Sequence, residues 1–350
     1  MSVPVTHFLP LTRIRRVRLL PTPGRVLVRS GQQVSATEVV AETYLPEQHV
    51  LLDVRNALGI STITKAESLI ERKEGEKVQK GDVLAETGGL FSRVIRAPVN
   101  GMIIAIVKGQ ILIEGQGSPF TLRAGLSGTV TEVISDWGVT LENNGALVQG
   151  VWGNNQIDLG LLLALAHTAD EELTRDRLDV SMRGAVAFAG YCGDAKVLKT
   201  AADLPLRGLI LGSMSPDLVP MAVGLKIPVV IIEGFGRIPL NNAAYKILST
   251  HEKRDIAVNA VAWNPYRGER PEVFIPLPAD GQAAPETVEF STGQTVRVQG
   301  APYIGQVGTI AVIRPGLTLL QNGLRAPSAE VRLENSDPVF VPLSNLDVLE

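Results

Sequence analysis

Cysteine is almost absent: Cys192 stands alone in 350 residues, so there is no internal disulfide framework and a reducing compartment fits. Histidine is scarce too. His7, His49, His167 and His251 lie too far apart for a local metal motif, and a single thiol cannot build a zinc cluster. Neither a metal nor a cofactor is therefore expected. The longest apolar runs, Leu159 to Ala166 and Ile227 to Ile232, fall far short of the roughly twenty residues that a membrane-spanning helix needs. Met1 to His7 lacks a charged segment followed by an apolar one, so no signal peptide is expected, and a cytoplasmic protein with no membrane partner is the default. A formal charge of -3 leaves no surplus for coating nucleic acid.

A hydrophobic share of 45% with 20% charged residues marks a globular protein, and its length accommodates several cores. The pattern changes along the chain, and three domains are expected: residues 1–152, 153–282 and 283–350. Of these, 153–282 includes a turn-rich trailing linker.

The middle region alternates strands with helices. The apolar stretches Gly184 to Ala189, Gly208 to Leu211, Ile227 to Ile232 and Asp255 to Ala260 are separated by helices at Asp194 to Ala202, Pro216 to Val223 and Asn241 to Ser249. Continuous apolar strands spaced this way predict a small parallel α/β sheet covered on both faces. Ligands of open parallel sheets collect at the carboxyl ends of the strands. The loops there supply the candidate ligand-binding residues Cys192, Gly193, Ser213, Ser215, Glu233, Gly234 and Arg237. Ser215 before Pro216 has the form of an N-cap, Glu233 and Arg237 offer opposite charges, and Cys192 is a thiolate candidate. Ordinary strand-to-helix loops need the same glycines and serines, and Cys192 is equally readable as a small buried hydrophobe. The loops lack the glycine spacing of dinucleotide and phosphate-loop motifs, and Ser213 lacks the nucleophile elbow, so no catalytic residue is assigned.

The last sixty or so residues carry regular glycine spacing. Gly300, Gly305 and Gly308 punctuate Gly293 to Ile310, with Val296, Val298, Val307 and Ile310 at strand spacing. Ala329 to Glu334, Val339 to Leu343 and Leu343 to Val348 read as further strands. This segment resembles the KOW motif of small SH3-like barrels in transcription elongation factors and ribosomal proteins; the alternative is another small antiparallel barrel. The resemblance implies docking on a large assembly, with Pro302, Tyr303 and Arg314 as candidate interaction residues. Four basic residues (Arg297, Arg314, Arg325, Arg332) against five acidic ones (Glu330, Glu334, Asp337, Asp347, Glu350) favour a protein partner over nucleic acid there.

The N-terminal region repeats short β phrases. Gly75-Glu76-Lys77-Val78-Gln79-Lys80-Gly81-Asp82 is followed by Ala97-Pro98-Val99-Asn100-Gly101, and Leu126 to Val133 is a further echo. These phrases resemble the barrel-sandwich hybrid fold of biotinyl and lipoyl carrier domains. Carriers place a modified lysine between such phrases. Here Thr87 to Arg93 contains none, so the resemblance implies a structural or docking version without covalent biotin or lipoate.

Ahead of these units Arg13, Arg15, Arg16 and Arg18 form a basic stripe, joined by Arg25 and Arg29 before the first acid at Glu38. Such a stripe serves either an RNA or acidic partner or a solvated strand edge guarded against pairing. The fold expectation is thus a multidomain α/β plus all-β protein. The function expectation is a non-catalytic adaptor, with a ligand-binding sensor or enzyme and an RNA binder as alternatives.

Overall fold

A computed structural model describes residues 2–45, 49–88, 92–115, 117–264, 268–320, 322–333 and 337–350. The chain is mostly β. Its largest element is an eleven-stranded sheet, in which the short strand Trp152–Gly153 pairs antiparallel with the outer one of four parallel strands: Val229–Phe235, Gly208–Met214, Ala185–Cys192 and Ile157–Ala164. Alternation sorts the apolar residues of these strands to both faces. Val186, Phe188, Ile210 and Val230 share one core with Ala244, Ile247 and Leu248 of the helix Asn242–Thr250. Ala187, Ala189, Leu209 and Ile231 share another with Val197, Leu198 and Ala201 of the helix Ala195–Asp203. Both helices start on side-chain caps, Asp194 accepting from the Lys196 amide and Asn241 from that of Ala244, each at 2.8 Å.

Two features depart from the expected parallel sheet. Asp255–Asn259 runs antiparallel to Ile157–Ala164, and the sheet does not end there. It continues through Glu272–Pro276 and Gly138–Gln149 to Gly128–Ile134 and Gln33–Val34, with Phe8–Leu19 also paired to Gly138–Gln149. One hydrogen-bonded surface therefore crosses the boundary expected at residue 152. Apolar runs report that a strand is buried on both faces, but its direction is set by a partner that periodicity does not name.

In the N-terminal part, three smaller sheets surround the glycine phrases: Val50–Asp53, Gln110–Gly115, Gly101–Val107 and Lys77–Val78 form one, Ser118–Arg123, Val39–Leu45 and Arg25–Val26 another, and Val83–Glu86 with Val94–Arg96 a third. The two phrases singled out in the sequence are stitched together. The Gly81 amide donates to the Ala97 carbonyl and the Ala97 amide to that of Asp82, both at 2.8 Å. Val54, Leu84, Ile103, Ile111 and Ile113 form the local core. Gly89, Leu90 and Phe91, in the lysine-free stretch, lie outside the described residues.

The C-terminal residues form a separate seven-stranded sheet: Thr287–Glu289, Ser2–Thr6, Leu346–Leu349, Thr295–Val298, Val307–Ile313, Ser328–Leu333 and Val339–Pro342. Val296, Val298, Ile310, Val331 and Val348 fill its core. Its second strand is the start of the chain, with Val5 beside Val348 in parallel register. Residues 2–6 thus belong to the C-terminal sheet rather than to the N-terminal unit in which their position in sequence placed them.

Candidate functional site

The strand Val229–Phe235 is apolar until its carboxyl end, where Glu233 follows Ile232. Across from it stands Arg297 in the middle of Thr295–Val298. Val296 and Val298 point into the C-terminal core, so alternation turns Arg297 to the opposite face, which on an isolated sheet would meet water. Here that face is covered. Arg297 is 1% exposed, and its Nη1 donates to Glu233 Oε2 at 2.7 Å while Nη2 donates to Asp347 Oδ2 at 2.6 Å. Asp347 is the cross-strand partner of Arg297, between core residues Leu346 and Val348. Burial opposes a charged guanidinium, but the two carboxylates outweigh it and hold the Arg297 pKa above its ordinary value. Its Nε is buried without a hydrogen-bond partner.

The network spreads to further elements. Glu233 Oε1 accepts from the Asn241 amide at 2.9 Å and from Asn241 Nδ2 at 2.6 Å, so the carboxylate is held from both sides. The Thr6 hydroxyl donates to Asp347 Oδ1 at 2.9 Å and accepts from Arg270 Nη1. Arg270 lies 3.9 Å from Asp347 and 5.3 Å from the centre of the Trp263 ring. The first strand, the central sheet and the C-terminal sheet thus meet in one charge cluster.

Above this cluster lies a cavity of about 820 Å³. Phe235, Ile238, Trp263, Ile304, Leu343 and Leu346 supply its apolar walls. Gly305 lets the two units approach: a Cβ there would stand 2.9 Å from Ile238 Cγ2, and its φ of +79° already favours glycine.

Of the seven residues expected at the strand ends, Glu233 and Gly234 line this cavity. The others are used elsewhere. Cys192 is fully buried in the core beneath the helix Ala195–Asp203, and burial pushes its thiol up to about 11, which removes the thiolate role. Ser213 is also fully buried, its hydroxyl donating to the Ile238 carbonyl at 2.7 Å and accepting from the Ile238 amide at 3.2 Å. Ser215 precedes Pro216 as expected but makes no side-chain cap bond, and its amide is taken by the Cys192 carbonyl. Gly193 sits against the Tyr191 ring. Arg237 pairs with Glu172 at 3.0 Å and lies over Tyr191, not with Glu233. Arg297, counted from sequence only among the basic residues of the C-terminal segment, is the partner that reading missed. Its only trace is a charge flanked by two core valines.

The candidate interaction residues divide. Tyr303 is half-buried against the C-terminal core, Pro302 is exposed, and Arg314 pairs with Glu330 at 3.4 Å and lies over Phe340. The arginine stripe divides as well, because alternation along Phe8–Leu19 sends Arg16 and Arg18 to one face and Arg13 and Arg15 to the other. Arg16 pairs with Glu272 at 3.0 Å and Glu286 at 2.9 Å, Arg18 with Glu272 at 3.4 Å and the Ala124 carbonyl at 3.0 Å. Arg15 reaches Glu132 and Glu142, and Arg13 stays exposed. A second cavity of about 460 Å³ opens beside them.

No protein-family model matches the chain, and no curated protein matches it in sequence. Among the described residues no helix is long and apolar enough to cross a membrane, and no cluster of His, Cys, Asp and Glu stands ready to hold a metal ion.

Proposed function

We propose that this protein binds a small molecule in the 820 Å³ cavity between the carboxyl end of the central parallel strands and the C-terminal sheet. One observation carries the reading. Phe235, Trp263 and Ile304 remain 37%, 51% and 57% exposed around a concave opening. Large apolar side chains left uncovered about a cleft are a mark of binding, and clefts between structural units at strand ends are where small molecules gather. The reading is one of binding rather than chemistry, since the Ser213 hydroxyl and the Cys192 thiol are already engaged or buried.

Thermal-shift screening with phosphorylated and uncharged metabolites tests it. A compound seated here raises Tm by mass action, by about 2.7 kcal/mol of stability at a hundred times Kd. The Phe235→Asp variant should lose that rise. A rise that survives the substitution would put the site elsewhere.

A second reading, an adaptor that docks on other macromolecules, is favoured by a different feature. Leu317, Leu319 and Leu324 on the hairpin Thr318–Leu319/Arg325–Ala326 are 65%, 63% and 64% exposed. Three large apolar side chains grouped on one hairpin form a surface that a partner would cover. On this reading the seven-stranded sheet is a KOW-like barrel and the glycine phrases form a barrel-sandwich hybrid, supported by the strand pairings at Thr295–Val298/Val307–Ile313 and by the Gly81–Ala97 stitch. Pull-down with the full chain should recover polymerase or ribosome components, and replacing the three leucines by serine should release them. Equal recovery by both would sink the adaptor reading.

A further inference from the structure

We infer that the molecule held in the 820 Å³ cavity is uncharged, with an apolar, ring-bearing body. The inference rests on the small-molecule reading above and narrows it to a chemical class.

The charges that line the cavity are two arginines and two carboxylates: Arg270, Arg297, Glu233 and Asp347. They are matched to one another. Arg297 is shared between Glu233 and Asp347 at 2.7 and 2.6 Å, with side-chain exposures of 1%, 1% and 13%. Arg270 is spent on Thr6, Asp347 and the face of Trp263. A charged guest entering here would give up water and find no unpaired counter-charge, since every one is held inside the network. Freeing Arg297 for an anion would leave Glu233 and Asp347 without it, and freeing a carboxylate for a cation would leave Arg297 with one partner.

The remaining surface favours a neutral guest. Gln299 and Ser344 are exposed at the cavity and offer hydrogen bonds without charge. Phe235 and Trp263 line the cavity as partly exposed rings, against which a guest's ring packs at offset or edge-on geometry. The volume lies within the range of roughly 300–1,000 Å³ that suits a compact organic molecule. The 460 Å³ cavity provides the contrast: most of its arginines are likewise paired with carboxylates, but Arg13 among them stays exposed, so an anion has reason to go there instead.

Two fluorescent probes separate the outcomes in the full-length chain: uncharged N-phenyl-1-naphthylamine and the anionic anilinonaphthalene sulfonate. The uncharged probe should bind more tightly, by about tenfold, with a Kd that does not change between low and high salt. Ile304→Asn removes an exposed apolar wall, so the variant keeps its Tm while binding of the uncharged probe weakens by about tenfold. Tighter binding of the anionic probe, lost in Ile304→Asn, would overturn the uncharged class and leave the small-molecule reading standing. Binding of either probe unaffected by Ile304→Asn, or no binding at all, would overturn both.

Discussion

Arg297 and Arg18 are 1% and 7% exposed, and both neutralise buried carboxylates, yet they sit in different electrostatic settings. Arg297 is one cation between two acids that come from different sheets, so it ties the central sheet to the C-terminal one. Around Glu272 the arrangement differs: that carboxylate serves both Arg16 and Arg18, with Glu286 as a second partner of Arg16, and both arginines come from a single strand of the sheet to which Glu272 itself belongs. The first cluster joins units, and the second closes the edge of one. A balanced cluster next to an apolar cavity leaves nothing for a charged ligand. The smaller cavity beside the second cluster also takes in the exposed Arg13.

The largest expected effect breaks the first cluster. Arg297→Met leaves Glu233 and Asp347 without their shared cation, and denaturant titration should show a loss of about 3–5 kcal/mol. Adding Glu233→Leu to that variant should recover part of the loss, because removing both partners of a buried pair costs less than removing one. If the double variant were no more stable than Arg297→Met, the pairing of these two residues would not be what burial depends on.

Next comes Glu272→Gln, which leaves Arg18 without its carboxylate and Arg16 with Glu286 alone, and should cost about 2–3 kcal/mol at neutral pH. Burial opposes the charge on Glu272, but Arg16 and Arg18 outweigh it and pull its pKa below the ordinary 4.5. A carboxylate with a lowered folded pKa contributes stability that is complete above the unfolded value and is lost as pH falls through the folded one. Stability of the wild type should therefore decline as pH drops below about 4.5, and the Glu272→Gln variant should show a flatter decline over the same range. Parallel curves would remove Glu272 from acid unfolding.

The smallest effect belongs to Arg15, whose side chain is 60% exposed beside Glu132 and Glu142. Arg15→Ala should change stability by no more than about 0.5 kcal/mol, and any loss should shrink with added salt. A loss comparable with that of Arg297→Met would show that the exposed half of the stripe carries structural load after all.

Local patterns were legible where one segment suffices to read them. The helices Ala195–Asp203 and Asn242–Thr250 lie within a residue of where the spacing between apolar strands placed them, and the strands of the C-terminal sheet follow the alternation of valines around glycine turns. Glu233 was legible as a candidate because a charge at the end of an apolar strand is conspicuous, and it does line the cavity. Its partner was not. Arg237, noted for its opposite charge, is close in sequence, whereas the observed partner lies 64 residues away.

Ser2–Thr6 shows the same limit: a place between Thr287–Glu289 and Leu346–Leu349 leaves no mark in the first few residues. Residue order alone determined which side chains face inward along each strand and where helices begin, since these depend on a period of two or 3.6 and on caps within reach. Tertiary structure alone decided which outward faces stay wet. Arg297 alternates outward like any surface residue and is buried because a second sheet closes over it, bringing its own carboxylate to make that burial tolerable.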